Sequence, residues 1–387
     1  MSHFLDSHAV NKKRYVDASS KLVDPLLKGY HGSHSNVIYP KKLRINAQGT
    51  TDLNSVVTFE LPRTGYLADM FVEADYEQTS GDDYVPYIAC AAISRVRIFA
   101  GSEILHDYDY VDVMSYCLSQ MKDSDAANRL MVASGGSAVN SSAAAFPNLQ
   151  ALIPTAWSSL LGMEPLVLHK INVRVKIEVT YRADTDVIIG SGTSGGISNG
   201  KLICYLYESD TPLRNKHKQM GLTQKSIDFK TFKSSAVSTG TETDLDISSI
   251  TGNIKFLSVR SSLSSEIDTT TPVDFFNHQV IDTIKTVIDS NEEIQFLTDH
   301  EGQVDSLFYN DWRSQGTEFS YVYMVPYHYS MDNKQSLKHF TGGMHSSAVN
   351  KNILRVTHSC GADCEFGVTG IVDALFVYEN GGLSKYL

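Results

Sequence analysis

Three soft donors crowd one stretch near the C-terminus: His358, Cys360 and Cys364 in the run HSCGADC. An imidazole and two thiols are ligand types for zinc, but tetrahedral zinc takes four, commonly with a second pair elsewhere. No second pair exists, so the run is read as a tight turn between two strands with Gly361 at its tip, and no metal ligand is expected. Asp107, Asp109 and Asp112 in DYDYVD offer carboxylates for Ca²⁺, which asks for roughly six to eight oxygens. The glycine and terminal Glu of an EF-hand loop are missing. Aspartate is also favoured at a helix N-terminus by the dipole, and that explanation is preferred.

Other chemistries find less support. No G-x-S-x-G elbow is present, so a Ser–His–Asp arrangement has no sequence handle. Gly190–Gly196 is glycine-rich but lacks the following Lys-Ser/Thr of a phosphate-cradling loop. Lys216-His217-Lys218 has the charge to touch phosphate or lipid head groups, yet such a run is commonly a solvated connector. Among 44 acidic residues random carboxylate pairs are inevitable, and no pair stands out as glycosidase-like. The expectation is therefore no catalytic residue, no cofactor, no metal and no enzyme.

Composition narrows the class. The net charge of −11 is opposite to that of a protein that wraps nucleic acid, so direct nucleic-acid binding is not expected. Five cysteines, an odd and small number, argue against a disulfide framework. Twenty Tyr and 16 Phe against two Trp, with abundant Ser, Thr and Asn, favour strands and amphipathic contact surfaces. The opening MSHFLDSHAVNKKRYVD has no apolar signal region, so the chain is expected to stay in the compartment where it is made. A chain of 387 residues fits two ordinary domains.

The elements that would position any site are mostly strands. Residues 1–36 form a polar arm that either orders on a neighbour or an inner membrane, or is a disordered terminus. Tyr66–Tyr76 places Tyr66, Ala68, Met70, Val72, Ala74 and Tyr76 on one face. Lys170–Tyr181 alternates without a break, with Ile171, Val173, Val175, Ile177, Val179 and Tyr181 on the apolar side, which predicts a long strand with one wet face. Asp109 caps a helix carrying Val111, Met114, Leu118 and Met121 at helical spacing. Ser124–Pro147 reads as a long surface loop, and Gly190–Gly200 as another before the strand Lys201–Glu208.

Residues 213–225 read as a linker. Strand patterns resume at Ser226–Phe232, Thr241–Ile247, Asn253–Ser261, Val280–Ile288, Glu318–Pro326, Asn352–Ser359 and Cys364–Tyr378, while Asp299–Gly316 reads as loop or short turns. Two halves with about eight strand candidates each suit an all-β fold of two consecutive eight-stranded jelly-roll sandwiches with short helices in the connections. The expected division is an arm at 1–36, a first jelly roll at 37–212, a linker at 213–225 and a second jelly roll at 226–387.

The order of these parts is familiar. Leu61-Pro62-Arg63-Thr64-Gly65-Tyr66-Leu67, then Ala92–Ile98, Gly101, Ile104, Asp107–Tyr110 and the helix to Met121, resembles the first half of double jelly-roll major capsid proteins. That family includes the tectivirus and adenovirus type. Ile153-Pro154-Thr155-Ala156-Trp157 and Glu164–Lys170, running into the alternating strand, continue the likeness. Tyr321–Tyr327, Gly342–Ala348 with Asn352–Val356, and Gly370–Tyr378 with Gly381-Gly382-Leu383 carry it to the end. Ser346-Ser347 departs from the family's usual Phe-Ser-Arg. The insertions of large eukaryotic-virus members are missing, and the compact length is nearer to that of smaller bacterial, archaeal or virophage-like members, compact relatives of the capsid proteins of large DNA viruses.

The resemblance implies a structural protein of the virion, assembled in the host cell. It further implies a homotrimer tiling an icosahedral capsid as pseudo-hexameric units. Partners would be neighbouring capsomers, minor capsid or penton proteins, and an internal membrane met by the arm. The residues themselves leave two other classes open, a β-sandwich glycan- or receptor-binding virion protein and a glycan-active hydrolase.

Overall fold

The structure is a computed structural model that describes residues 38–78, 83–121, 124–136, 145–189, 195–209, 222–263, 275–289, 291–296, 298, 300–302, 321–327 and 342–387. The expected arm at 1–36, the Lys216-His217-Lys218 cluster and nearly all of Asp299–Gly316 lie outside the described residues.

In the first half the principal strands are β1 (Ile38–Asn46), β2 (Val56–Glu60), β3 (Tyr66–Gln78) and β4 (Ile93–Ala100). They are followed by β5 (Glu103–Asp109), β6 (Ala145–Leu152), β7 (Val175–Tyr181) and β8 (Gly195–Ser209). One sheet has the order β1-β8-β3-β6 and the other β2-β7-β4-β5, with every ladder antiparallel.

The second half repeats this with β9 (Leu222–Lys233), β10 (Thr243–Asp246), β11 (Asn253–Leu263) and β12 (Thr283–Ile288). β13 (Asn291–Phe296), β14 (Val322–Pro326), β15 (Asn352–Thr357) and β16 (Cys364–Glu379) complete the set. Its sheets run β9-β16-β11-β14 and β10-β15-β12-β13. Counting strands within each half, both halves share the orders 1-8-3-6 and 2-7-4-5. That pairing of first with last and second with seventh is a jelly roll. The chain contains two, as expected.

The alternating patterns decide which faces meet. Tyr66, Ala68, Met70, Val72, Ala74 and Tyr76 are all buried, and so are Val175, Ile177, Val179 and Tyr181. Between them they line the inner faces of the two sheets of the first sandwich, with polar residues turned outward.

Several boundaries differ from the sequence expectation. The unbroken alternation predicts a strand from Lys170, but the ladder starts at Val175, and Leu168–Lys170 forms a 3₁₀ turn. Asn172 instead donates its N–H to Gly381 O at 2.6 Å, so part of this stretch bonds to the second half rather than to its own sheet. The expected loop Ser124–Pro147 holds helix Ser124–Ala133, whose Ala127 and Met131 are buried, and the start of β6. Good helix formers in SDAANRLMVA outweigh the Ala/Ser/Gly bias of the residues after them. The expected loop Gly190–Gly200 ends early, because Gly195 onward pairs with β3. The linker 213–225 is likewise too long at its end: β9 begins at Leu222, and Gln224 is buried.

Helix α1 (Tyr110–Ser119) is the element between the halves. All ten of its residues are buried, so it has no solvent face. Asp109 caps it, accepting from the N–H groups of Val111 at 3.1 Å and Asp112 at 3.3 Å. The helix lies against β4 and β5 of its own half and β9, β11, β14 and β16 of the other. One continuous hydrophobic cluster accordingly joins the first core to Phe229, Phe256, Phe276, Ile371 and Phe376, while a second cluster sits wholly inside the second sandwich.

Candidate functional site: the seam between the two sandwiches

The expected site residues separate. Asp107 pairs with Arg95 on the surface through two contacts of 2.6 Å, Asp109 caps α1, and Asp112 turns inward. Their carboxylates have three different tasks and do not converge on an ion. His358, Cys360 and Cys364 do converge, with one ligand atom from each within 4.8 Å of the others. Gly195 and Gly196 of the glycine-rich run are strand residues of β8.

A buried polar arrangement that sequence reasoning missed lies in the seam. Arg260 on β11 donates its Nε–H to Asp112 Oδ1 at 2.7 Å, with its Nη2 on the same oxygen, and both side chains are buried. Burial raises the Asp112 pKa, against the pull of Arg260, to about 6. Beside the pair, Ser115 donates to Val111 O at 2.7 Å and so accepts from His278 Nε2–H at 2.9 Å. Burial, reinforced by the nearby Arg260 charge, holds the His278 pKa well below its ordinary value.

A second group lies at the other side of β5. His106 Nε2 accepts the Ala156 N–H at 3.1 Å, so the ring proton must sit on Nδ1, where it is donated to Asp228 Oδ1 at 3.2 Å. Burial lowers the His106 pKa despite Asp228, which makes this contact a hydrogen bond from a neutral ring rather than an ion pair. Burial pulls Asp228 upward, but His106, Lys385 and Lys230 outweigh it and leave that carboxyl below its ordinary range. Lys385 reaches Asp228 Oδ2 at 2.9 Å and Leu105 O at 2.8 Å.

Lys385 is placed by local sequence. Strand β17 (Gly382–Tyr386) returns from β16 through a two-residue loop, Asn380 at φ 50° and Gly381 at φ 77°. Asn-Gly with both φ positive is the tight hairpin that suits strand twist. The same loop receives the Asn172 N–H, so the hairpin hooks the second sandwich onto the first. Nearby, Tyr378 donates to Gln224 Oε1 at 2.7 Å, and Gln224 Nε2 donates to Glu164 O at 2.8 Å.

Chemically the seam holds charges still; it does not expose them. Its titratable groups are buried and mutually bonded, as expected of a joint that fixes orientation and unlike a cleft awaiting substrate. The open concavity lined by Arg63, Phe99, Asn172, Arg174 and Lys176 meets the seam at Asn172.

The topology defines the class by fold: this is a double jelly-roll protein. No family model matches the chain, and no curated protein does. Solved structures do. The chain is similar to VP54 of PBCV-1, in a crystal structure fitted into a cryo-EM reconstruction of the virophage Sputnik. That likeness has a TM-score of 0.70 at 11% identity, covering 91% of this chain and 97% of that one. The Faustovirus major capsid protein follows with a TM-score of 0.57 at 10% identity, covering 97% and 98%. The mavirus major capsid protein gives 0.51 at 11%, covering 89% and 90%. At such identities what is shared is the double jelly-roll architecture over nearly the whole chain.

Proposed function

We propose that this chain is a structural capsid protein, a virion-shell tile that assembles with copies of itself and has no catalytic role. The observation that carries this is the seam. Two sandwiches of the same strand order are locked into one block by a shared core, a fully buried helix and buried polar contacts. Tandem domains that act separately need a mobile joint; a tile needs a fixed one. Of the solved structures named above, two are of major capsid proteins, and the third is a crystal structure fitted into a reconstruction of a virophage.

The sheet edges support self-association. Strand β1 stands at the edge of its sheet, and from Tyr39 to Asn46 no residue is fully buried. Among its described side chains Leu43 and Ile45 pack against the core, while Tyr39 and, on the neighbouring strand, Tyr205 are exposed. An open edge flanked by aromatic rings is a surface that pairs with another chain unless it is covered.

The account takes the assembly unit to be a homotrimer in pseudo-hexameric tiles, with minor capsid proteins and an inner membrane as further contacts and no direct nucleic acid. The division into arm, first jelly roll to about 212, connector and second jelly roll belongs to the same proposal. A native mass measurement of the purified chain tests it. A stable trimer is expected at micromolar concentration, and a monomer there would contradict it.

A further inference from the structure

At the end of the second sandwich where β15 gives way to β16, two thiols and a constrained imidazole meet. His358 is fully buried, and its Nε2 lies 2.9 Å from Val237 O. A backbone carbonyl only accepts, so Nε2 carries the proton and Nδ1 is left as a bare lone pair. That Nδ1 is buried and meets no donor. An imidazole fixed in one tautomer by a carbonyl, with its other nitrogen unprotonated, is how proteins present histidine to a metal. One ring nitrogen of His358 and the sulfurs of Cys360 and Cys364 lie within 4.8 Å of one another.

We propose that His358 Nδ1, Cys360 Sγ and Cys364 Sγ form a binding site for a soft divalent cation, zinc first among them. Zinc–sulfur bonds of about 2.3 Å and zinc–nitrogen bonds of about 2.0 Å put tetrahedral ligands some 3.5–3.8 Å apart. The observed spread, within 4.8 Å, exceeds that by about 1 Å. Binding replaces the thiol protons of both cysteines, which leave to solvent, and two thiolates then neutralise the ion's charge. Cys360 is half-buried, which gives the ion an approach and leaves a fourth position for water.

The sequence argument against zinc was the missing fourth ligand. A water answers it, and the buried, donorless nitrogen is the observation that spacing alone could not supply.

The site would staple three connections. Cys364 exchanges backbone hydrogen bonds with Val237 at 2.8 and 2.9 Å, and Cys360 Sγ lies 3.5 Å from Val280 O. Gly240 N donates to His358 O at 2.8 Å, and Ser359 Oγ to Asp282 Oδ1 at 3.0 Å. An ion here fixes the segments after β9, before β12 and between β15 and β16 together. This inference does not depend on the shell role.

The test is titration of the full chain, kept reduced, with Co²⁺ and then Zn²⁺. One equivalent of Co²⁺ should bring thiolate-to-cobalt charge-transfer absorption, which Zn²⁺ abolishes by displacement, and Zn²⁺ should raise the unfolding midpoint by a few degrees. Cys360→Ser, at a half-buried position that tolerates the change, should fold yet lose both effects. His358→Gln should weaken Co²⁺ binding at least tenfold. A folded wild-type chain with no charge-transfer band, or a band unchanged in Cys360→Ser, would overturn the proposal.

Discussion

Arg260 and Asp112 stand on different sandwiches, and the 2.7 Å hydrogen bond between them is buried on both sides. An ion pair taken out of water is weak evidence for stability in itself, because desolvation offsets much of the attraction. Its consequence is geometric. A bidentate-capable guanidinium accepts a carboxylate in few orientations, so the pair fixes how α1 meets β11.

Removing one partner strands the other charge in an apolar place. Arg260→Ala and Asp112→Ala should each cost about 3–5 kcal/mol in urea unfolding. The double variant Asp112→Leu/Arg260→Met should lose much less than the sum of the two. Additive losses would mean that the pair is not coupled.

Gly367 lies under this pair. A Cβ there would meet Asp112 Oδ1 and Arg260 Nε, whereas at Gly361 it would meet nothing within 4 Å. Gly367→Ala should cost about 1–3 kcal/mol by overpacking, and Gly361→Ala should stay within about 0.5 kcal/mol. Equal effects at the two positions would remove the packing explanation.

The seam also sets the response to acid. His106 and His278 are held neutral by burial, so below about pH 6.5 the unfolded chain binds protons that the native one refuses. Their contribution is present above the unfolded value and lost as pH falls through it. Asp228, with its lowered pKa, adds a loss of the same sign in the carboxylate range. Asp112 opposes them: with a pKa of about 6 its contribution is full below about pH 4 and lost as pH rises through 6. The histidine contributions therefore make stability fall as the pH drops below about 6.5, and the Asp112 contribution runs the other way. His278→Gln should flatten that slope by up to about 1.4 kcal/mol per pH unit. A slope that the substitution does not change would show that His278 is not held neutral.

The fold was largely legible because period-two patterns report burial directly. Tyr66–Tyr76 placed all six residues of its predicted apolar face inside, and the helix after Asp109 was capped by that residue as its spacing implied. Strands β13 and β17 escaped notice. NEEIQF is mostly polar, and Gly382–Tyr386 is short and follows a turn.

The seam was illegible for a different reason. Asp112 looked like one of three clustered carboxylates, yet its partner is 148 positions away, and the partner of His106 is 122 away. No local pattern reports such a pair. Only the two-sided burial of β16, continuous from Phe366 to Ala374, hints that something covers its outer face. The run Phe366–Val372, uncharged and polar only at Thr369, was the available signal.

The claim on which the rest depends is that the two locked sandwiches are a shell tile, and electron microscopy of the assembled full-length chain tests it most directly. The account predicts a lattice of three-copy units in which both sandwiches stand with their long axes along the shell normal and share one orientation across the seam. Dispersed single copies with no lattice under any assembly condition, or sandwiches hinged at different angles from copy to copy, would contradict it.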